Sequence, residues 1–303
     1  MITAGKPKLV IGFADCWGGL DAFFTSILSQ RYEVVRNDEQ PDYLFFADEM
    51  FGTSNRRFDG RKNVKIFYTG ENVRPDSSRY KFHRAISFDY IDEDWHFRLP
   101  LYVIDYWMMI HLHGMPAIEQ MGARRTAKKD KFCCFISGNP NSTKRNELFA
   151  ALNRYKIVDA AGPLFNNIGR ILPRGLDAAK TKDEFMRDYK FNLCPENSSY
   201  PGYVTEKLFH AFYSGTVPIY WGDPSANSIF NSQAMVSWHD YLSDEALVQR
   251  VMELDADPAK YAEVVSQPIF NNGNRDKHLD PSRFLDWFGT HVHAVFAPRL
   301  SAG

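Results

Sequence analysis

An apolar run at residues 191–194, a helical stretch at 205–214 stopped by Gly215, and a second apolar run at 217–221 form one β-α-β unit. Two strands joined through a helix call for a parallel sheet with both faces covered, and this confines the chain to the α/β class. The same alternation runs through the rest of the sequence. Residues 8–14 are a short apolar run, 21–29 carry helical spacing, and 32–35 turn extended. Buried strands are expected at 43–47, 65–68 and 85–88, each bounded by Pro, Gly, Asn or Asp. Beyond residue 131 the pattern restarts, with strands at 132–137 and 157–161 and helices at 143–155, 182–189, 246–254 and 283–296.

A chain of 303 residues exceeds one ordinary core, so two domains are expected. The boundary is placed in the polar stretch 122–131, where Arg124, Arg125, Lys128, Lys129 and Lys131 read as a solvated linker. The first domain then covers 1–125 and the second 126–303, with the last helix packing back on the first. The 36 basic and 37 acidic side chains leave a net charge of -1, so no global field draws the protein onto nucleic acid. Any anion must be bound locally. No run approaches the roughly 18 apolar residues that span a bilayer, and the first eight residues lack the apolar core of a signal peptide. A soluble, cytoplasmic protein is expected. Cys16, Cys133, Cys134 and Cys194 show neither CxxC spacing nor companion histidines, so they read as reduced, mostly buried thiols.

In an open α/β sheet a ligand sits beyond the carboxyl ends of the strands, where a following helix offers unpaired N–H groups. Here that place is the loop 195–206. Asn197 supplies an amide, Tyr203 an aromatic ring and Glu206 a carboxylate for hydroxyls; Thr205 opens the helix and Lys207 brings a cation for phosphate. Each has a structural role open to it: Thr205 as a cap, Glu206 as a first-turn acid, Tyr203 as packing. In combination they favour a nucleotide-sugar site. Neither GxxxxGK[ST] nor GxGxxG occurs. Arg145 follows the turn Ser-Gly-Asn-Pro-Asn at 137–141, and a cation in a first helical turn opposes the dipole unless an anion is present. Glu71, in Tyr-Thr-Gly-Glu-Asn at 68–72, ends a strand on a loop where a carboxylate can act as a general base or simply as a surface acid.

At these residues the sequence resembles the α-1,3-fucosyltransferases of glycosyltransferase family 10, which include the bacterial Lewis-antigen enzymes. The strongest match is Phe-Asn-Leu-Cys-Pro-Glu-Asn-Ser at 191–198, through Tyr-Val-Thr-Glu-Lys-Leu at 203–208, to Gly-Thr-Val-Pro-Ile-Tyr-Trp-Gly at 215–222. The Glu71 segment and the turn before Arg145 complete it, over residues 8–240. The resemblance implies a GT-B architecture of two Rossmann-like domains facing a cleft, the first for the acceptor and the second for GDP-fucose. It further implies inverting transfer to a glycan or lipopolysaccharide-type acceptor, with O3 of a GlcNAc-type residue as the position modified. Glu71 then matches the base, Arg145 and Lys207 the diphosphate contacts, and Asn197, Tyr203 and Glu206 the contacts to fucose, ribose or guanine. The heptad repeats and basic amphipathic tail of the bacterial Lewis enzymes have no counterpart here, which leaves peripheral membrane contact open.

Direct displacement at an anomeric carbon needs a base for the acceptor hydroxyl and charge stabilisation for the departing diphosphate. Glu71 on one side, and Arg145, Lys207 and the helix start at Thr205 on the other, supply both. No metal cofactor is therefore expected to be required, with stimulation by a divalent ion left open. Two rivals are a metal-dependent GT-A transferase using another sugar nucleotide and a non-catalytic carbohydrate-binding protein. The first would rest on Asp92-Glu-Asp94 or Asp255-Ala-Asp257. Asp257 precedes proline and reads as a helix cap, and Asp92 and Asp94 lie in a polar loop. His111 and His113 read as a packed or exposed pair rather than ligands. Should Glu71 not be the base, Glu196 and Asp15 are the next carboxylates to consider.

Overall fold

The computed structural model describes residues 5–173, 178–271, 279–280 and 282–301. Strand β1 (Lys8–Ala14) leads into helix α1 (Leu20–Ser29), which buries Leu20, Phe23, Phe24, Ile27 and Leu28. That spacing of three and four residues is one helical stripe laid on the sheet. Strands β2 (Glu33–Arg36), β3 (Tyr43–Phe46), β4 (Val64–Tyr68), β5 (Arg84–Ser87) and β6 (His96–Arg98) complete a six-stranded sheet in the order β2-β1-β3-β4-β5-β6. Every pairing is parallel. Strands β3 and β4 are buried along their whole length, and so they read as apolar runs rather than alternations, β4 broken only by the buried Lys65.

Helix α2 (Leu101–His111) and the short α3 (Gly122–Thr126) precede β7 (Lys131–Phe135). There follow α4 (Thr143–Tyr155), β8 (Val158–Ala160), α5 (Ala178–Met186), β9 (Tyr189–Leu193), α6 (Glu206–Tyr213), β10 (Val217–Tyr220) and β11 (Val236–Ser237). The five strands pair in parallel in the order β11-β10-β9-β7-β8. Helices α7 (Trp238–Tyr241), α8 (Asp244–Ala256) and α9 (Pro258–Ser266) pack behind it, with Leu247, Val251, Leu254, Val264 and Val265 joining its core. Both sheets are wound alike: the chain reverses direction beside its first strand, between β1 and β3 in one and between β7 and β9 in the other. Two Rossmann-like parallel α/β units in one chain are the organisation of the GT-B class, not of the GT-A alternative.

The last helices, α10 (Ser282–Trp287), a π-helical turn (Phe288–His293) and α11 (Ala294–Ser301), lie on the first sheet. Phe288 is fully buried and meets the rings of Tyr32, Tyr43 and Phe45. Contacts divide the chain into Met1–Ile104 with Lys277–Gly303, and Asp105–Asp276. The expected boundary after residue 125 is therefore corrected to an earlier position. Residues 105–125 belong to the second unit because Asp105 pairs with His210, the Tyr213 hydroxyl donates to Pro116 O, and Arg125 Nε donates to Val265 O. The solvated-linker reading of 122–131 fails for the same reason. Arg125 and Lys129 are buried, Lys129 Nζ donating to the carbonyls of Arg187 and Ser214. Burial lowers the Arg125 guanidinium to about 10, which still leaves it charged at neutral pH. Among the described residues no helix is long and apolar enough to cross a membrane.

Candidate active site

The crevice where a doubly wound sheet reverses is the natural ligand position, and in the second unit it lies between the loops that leave β7 and β9. Arg145 reaches it from the first turn of α4. Its side chain is fully buried and its guanidinium donates to Asn139 O at 3.1 Å, Pro195 O at 3.1 Å and Asn197 Oδ1 at 2.7 Å. Burial lowers its pKa, against the pull of Glu196, Tyr203 and Glu206. The neighbouring Lys144 turns away, held by Asp244 at 3.0 Å and Glu147 at 3.1 Å over the Trp238 ring, so its charge is already answered by protein acids.

On the other loop, Glu196 is a fully buried carboxylate accepting from the Thr205 N–H at 2.8 Å and the Thr205 hydroxyl at 2.7 Å. Burial pushes it above the usual carboxylate range, against the pull of Lys207. Both oxygens are committed, and this removes Glu196 as an alternative base. Thr205 is the extended N-cap of α6, its hydroxyl accepting from Lys207 N. The Lys207 ammonium lies 2.9 Å from that hydroxyl, 3.3 Å from Glu206 Oε1 and 3.4 Å from Glu196 Oε2. Burial pushes the Glu206 carboxyl up, but Lys207, Lys182 and His210 together draw it down to about 2. Gly222 packs closely against Glu196: a Cβ there would meet Glu196 Cγ and the Tyr220 hydroxyl, each at 2.5 Å.

These elements line a small pocket, about 40 Å³ and open to solvent, whose walls include Ser137, Arg145, Lys182, Asn192, Glu206, Lys207 and His210. Three cations face one space beside a helix N-terminus, an arrangement suited to a diphosphate. Of the donor-site residues expected from sequence, Arg145, Glu206 and Lys207 line this cavity and Asn197 is bonded to Arg145. Thr205 is buried beneath it as cap and strut. Tyr203 is fully buried, so in this structure its ring presents no open face to a base. Lys182 on α5 and His210 on α6, whose Nε2 lies 2.6 Å from Asp105 Oδ2, were not foreseen. For His210 a signal existed, since residues 206, 207 and 210 share one helical face. Nothing in the sequence singled out Lys182, whose place depends on α5 docking against α6.

In the first unit Glu71 lies half-buried on the loop that leaves β4. Its N–H donates to Thr69 Oγ1 at 3.2 Å, and its carbonyl closes a tight turn with the Val73 N–H at 2.6 Å. Asp15, the other alternative base, accepts four bonds from Ser54 and Asn55. Burial pushes its carboxyl up, but these donors hold it below its ordinary value, the reverse of what a base needs. Of the DxD-type acids, Asp255 pairs with Lys156 and Lys190, and Asp257 caps α9. Cys133, Cys134 and Cys194 are buried free thiols pushed upward by desolvation, so they pack rather than react.

Two family models match this chain. "Alpha-(1,3)-fucosyltransferase FucT N-terminal domain" covers residues 11–105, and "Glycosyltransferase family 10 (fucosyltransferase) C-term" covers residues 125–266. The chain belongs to glycosyltransferase family 10. Within the family, the alpha-(1,3)-fucosyltransferase FucT of Helicobacter pylori is 31% identical over 314 residues, covering 89% of this chain and 62% of that protein. An alpha-(1,4)-fucosyltransferase of Arabidopsis thaliana is 38% identical over 78 residues, 26% of this chain and 20% of that one. This chain thus spans less than two thirds of those relatives' lengths. A crystal structure of an alpha1,3-fucosyltransferase with GDP-fucose superposes with a TM-score of 0.76 at 28% identity, covering 96% of this chain and 92% of that one.

Proposed function

We propose that this protein is an inverting fucosyltransferase moving L-fucose from GDP-fucose to a glycan hydroxyl, with O3 of a GlcNAc-type residue as the acceptor position. The observation that carries the reading is the cationic cavity at the β7/β9 reversal, where Arg145, Lys182 and Lys207 converge on one space. Its agreement with a family whose solved member holds GDP-fucose supports the choice of donor. In the reaction the acceptor oxygen attacks C1 of fucose as the bond from C1 to the β-phosphate oxygen breaks. GDP leaves with the electron pair. Glu71 takes the acceptor proton, and Arg145, Lys207 and the N–H groups opening α6 meet the charge that grows on the leaving diphosphate. With that charge answered by side chains and backbone, the step needs no metal. The unpaired buried cysteines support a reducing compartment, and so the cytoplasm, as the place of action.

Thermal unfolding with nucleotides tests the donor. GDP should raise the midpoint well beyond UDP at equal concentration, because a ligand that binds only the native state stabilises it by mass action. An equal or larger shift with UDP would overturn the choice of nucleotide.

A further inference from the structure

We propose that Arg74, clamped by the buried Asp89, is a positioning residue that sets the place of the Glu71 carboxylate. The inference rests on the reading of Glu71 as the base. The loop from β4 is anchored at both ends on buried carboxylates. At its start the Thr69 hydroxyl donates to Asp48 Oδ2 at 3.0 Å, and Asp48 is buried. At its end the Arg74 guanidinium pairs with Asp89, bonds the side-chain oxygen of Asn72, and lies 4.3 Å over the Phe88 ring. Only residues 70–73 lie between the anchors, with Glu71 among them. Gly70 allows no slack: a Cβ there would meet the Tyr68 hydroxyl at 2.8 Å and Leu101 at 3.1 Å.

The second anchor is rigid because Asp89 is itself held. It is 5% exposed, its Oδ2 accepts from the Ser87 hydroxyl at 2.7 Å, and that hydroxyl lies 2.8 Å from His96 Nε2. Burial lowers the His96 imidazole to about 4, so at neutral pH it brings no charge to Asp89. The cation paired with Asp89 is Arg74. Removing Arg74 leaves the buried Asp89 carboxylate without its cation, and removing either partner frees the carboxyl-terminal end of the Glu71 loop. A displacement of about 1 Å at a reacting group can cost on the order of 100-fold in rate.

The test is steady-state transfer from GDP-fucose to N-acetyllactosamine by the full chain carrying Arg74→Lys or Asp89→Asn, alone and combined with Glu71→Gln. Arg74→Lys keeps a charge but loses the planar fork; Asp89→Asn keeps the shape and loses the charge. Each single variant should lower kcat by about tenfold or more with the KM for GDP-fucose within about twofold, as expected of a group that acts through the base. In the Glu71→Gln background the same changes should alter the residual rate by less than about twofold, because no base remains to be positioned. The acid limb of the kcat profile should also move in the single variants. Wild-type kcat in both folded single variants, or a full multiplicative loss on top of Glu71→Gln, would overturn the positioning role. Normal transfer by Glu71→Gln itself would instead remove the base reading on which it rests.

Discussion

Lys207 sits where three oxygens converge, those of Thr205, Glu206 and Glu196, and yet lines the cavity. Such a lysine is prepaid for its position, and its loss should be felt mainly where negative charge grows. Lys207→Ala should cut turnover by about tenfold or more while the protein stays folded; wild-type kinetics would return it to a surface role. Lys182→Ala should raise the Kd for GDP several-fold by calorimetry, since its side chain faces the same space. Unchanged GDP affinity would mean that Lys182 only balances Glu206. Arg145 and Lys207 stood out as candidates in the sequence because each is a cation in a first helical turn, where the dipole disfavours positive charge. Tyr203 shows where this reasoning stops. An aromatic ring near a ligand loop looks like a stacking platform in sequence, but burial is decided by what packs over it, and here it is covered completely.

At the level of elements, most strands and helices were readable because the central strands are buried and mostly apolar, as in β3, β7 and β10. Helix α2 escaped notice for the opposite reason: Tyr102, Val103, Ile104, Tyr106, Trp107, Met108 and Met109 are all buried, so no polar stripe marks its period. The basic stretch 122–131 misled because Arg125 and Lys129 are buried and bonded to carbonyls of distant elements, which no local pattern records. The stop of α6 was legible in Gly215, which has φ +75° and whose added Cβ would meet Arg124 O at 2.7 Å. Gly215→Ala should therefore destabilise by about 1–3 kcal/mol in urea unfolding; a neutral result would show that the turn can relax. Near β6, His96 prefers its neutral form in the fold, so the stability it contributes is present above about 6.5 and lost as pH falls toward 4. The loss should be on the order of 3 kcal/mol between these values, and His96→Gln should flatten that dependence. An equally steep profile in the variant would assign the acid sensitivity elsewhere.

Across the whole molecule, two sheets of the same winding place loops at strand carboxyl ends, the one with Glu71 in one unit and those of the cationic cavity in the other. What local patterns could not convey is membership: residues 105–125 joined the second unit and the C-terminal helices the first, through contacts over 200 residues apart in places. Phe288 carries much of that return, and Phe288→Ala should cost about 3–5 kcal/mol of stability by denaturant unfolding, the value for an aromatic removed from a packed core. A cost below about 1 kcal/mol would mean that the C-terminal helices contribute little to the first unit's core. The central claim concerns the transfer chemistry proposed for Glu71 and the cationic cavity. It is tested most directly by incubating the full chain with GDP-fucose and N-acetyllactosamine and following the anomeric protons by NMR, for the wild type and Glu71→Gln together. The account predicts stoichiometric GDP release with an α-linked fucose on O3 of GlcNAc in the wild type. Glu71→Gln should bind GDP with near-native affinity and transfer at least about 100-fold more slowly. Transfer by a folded Glu71→Gln within twofold of wild type, or GDP binding without any transfer by the wild type, would contradict it.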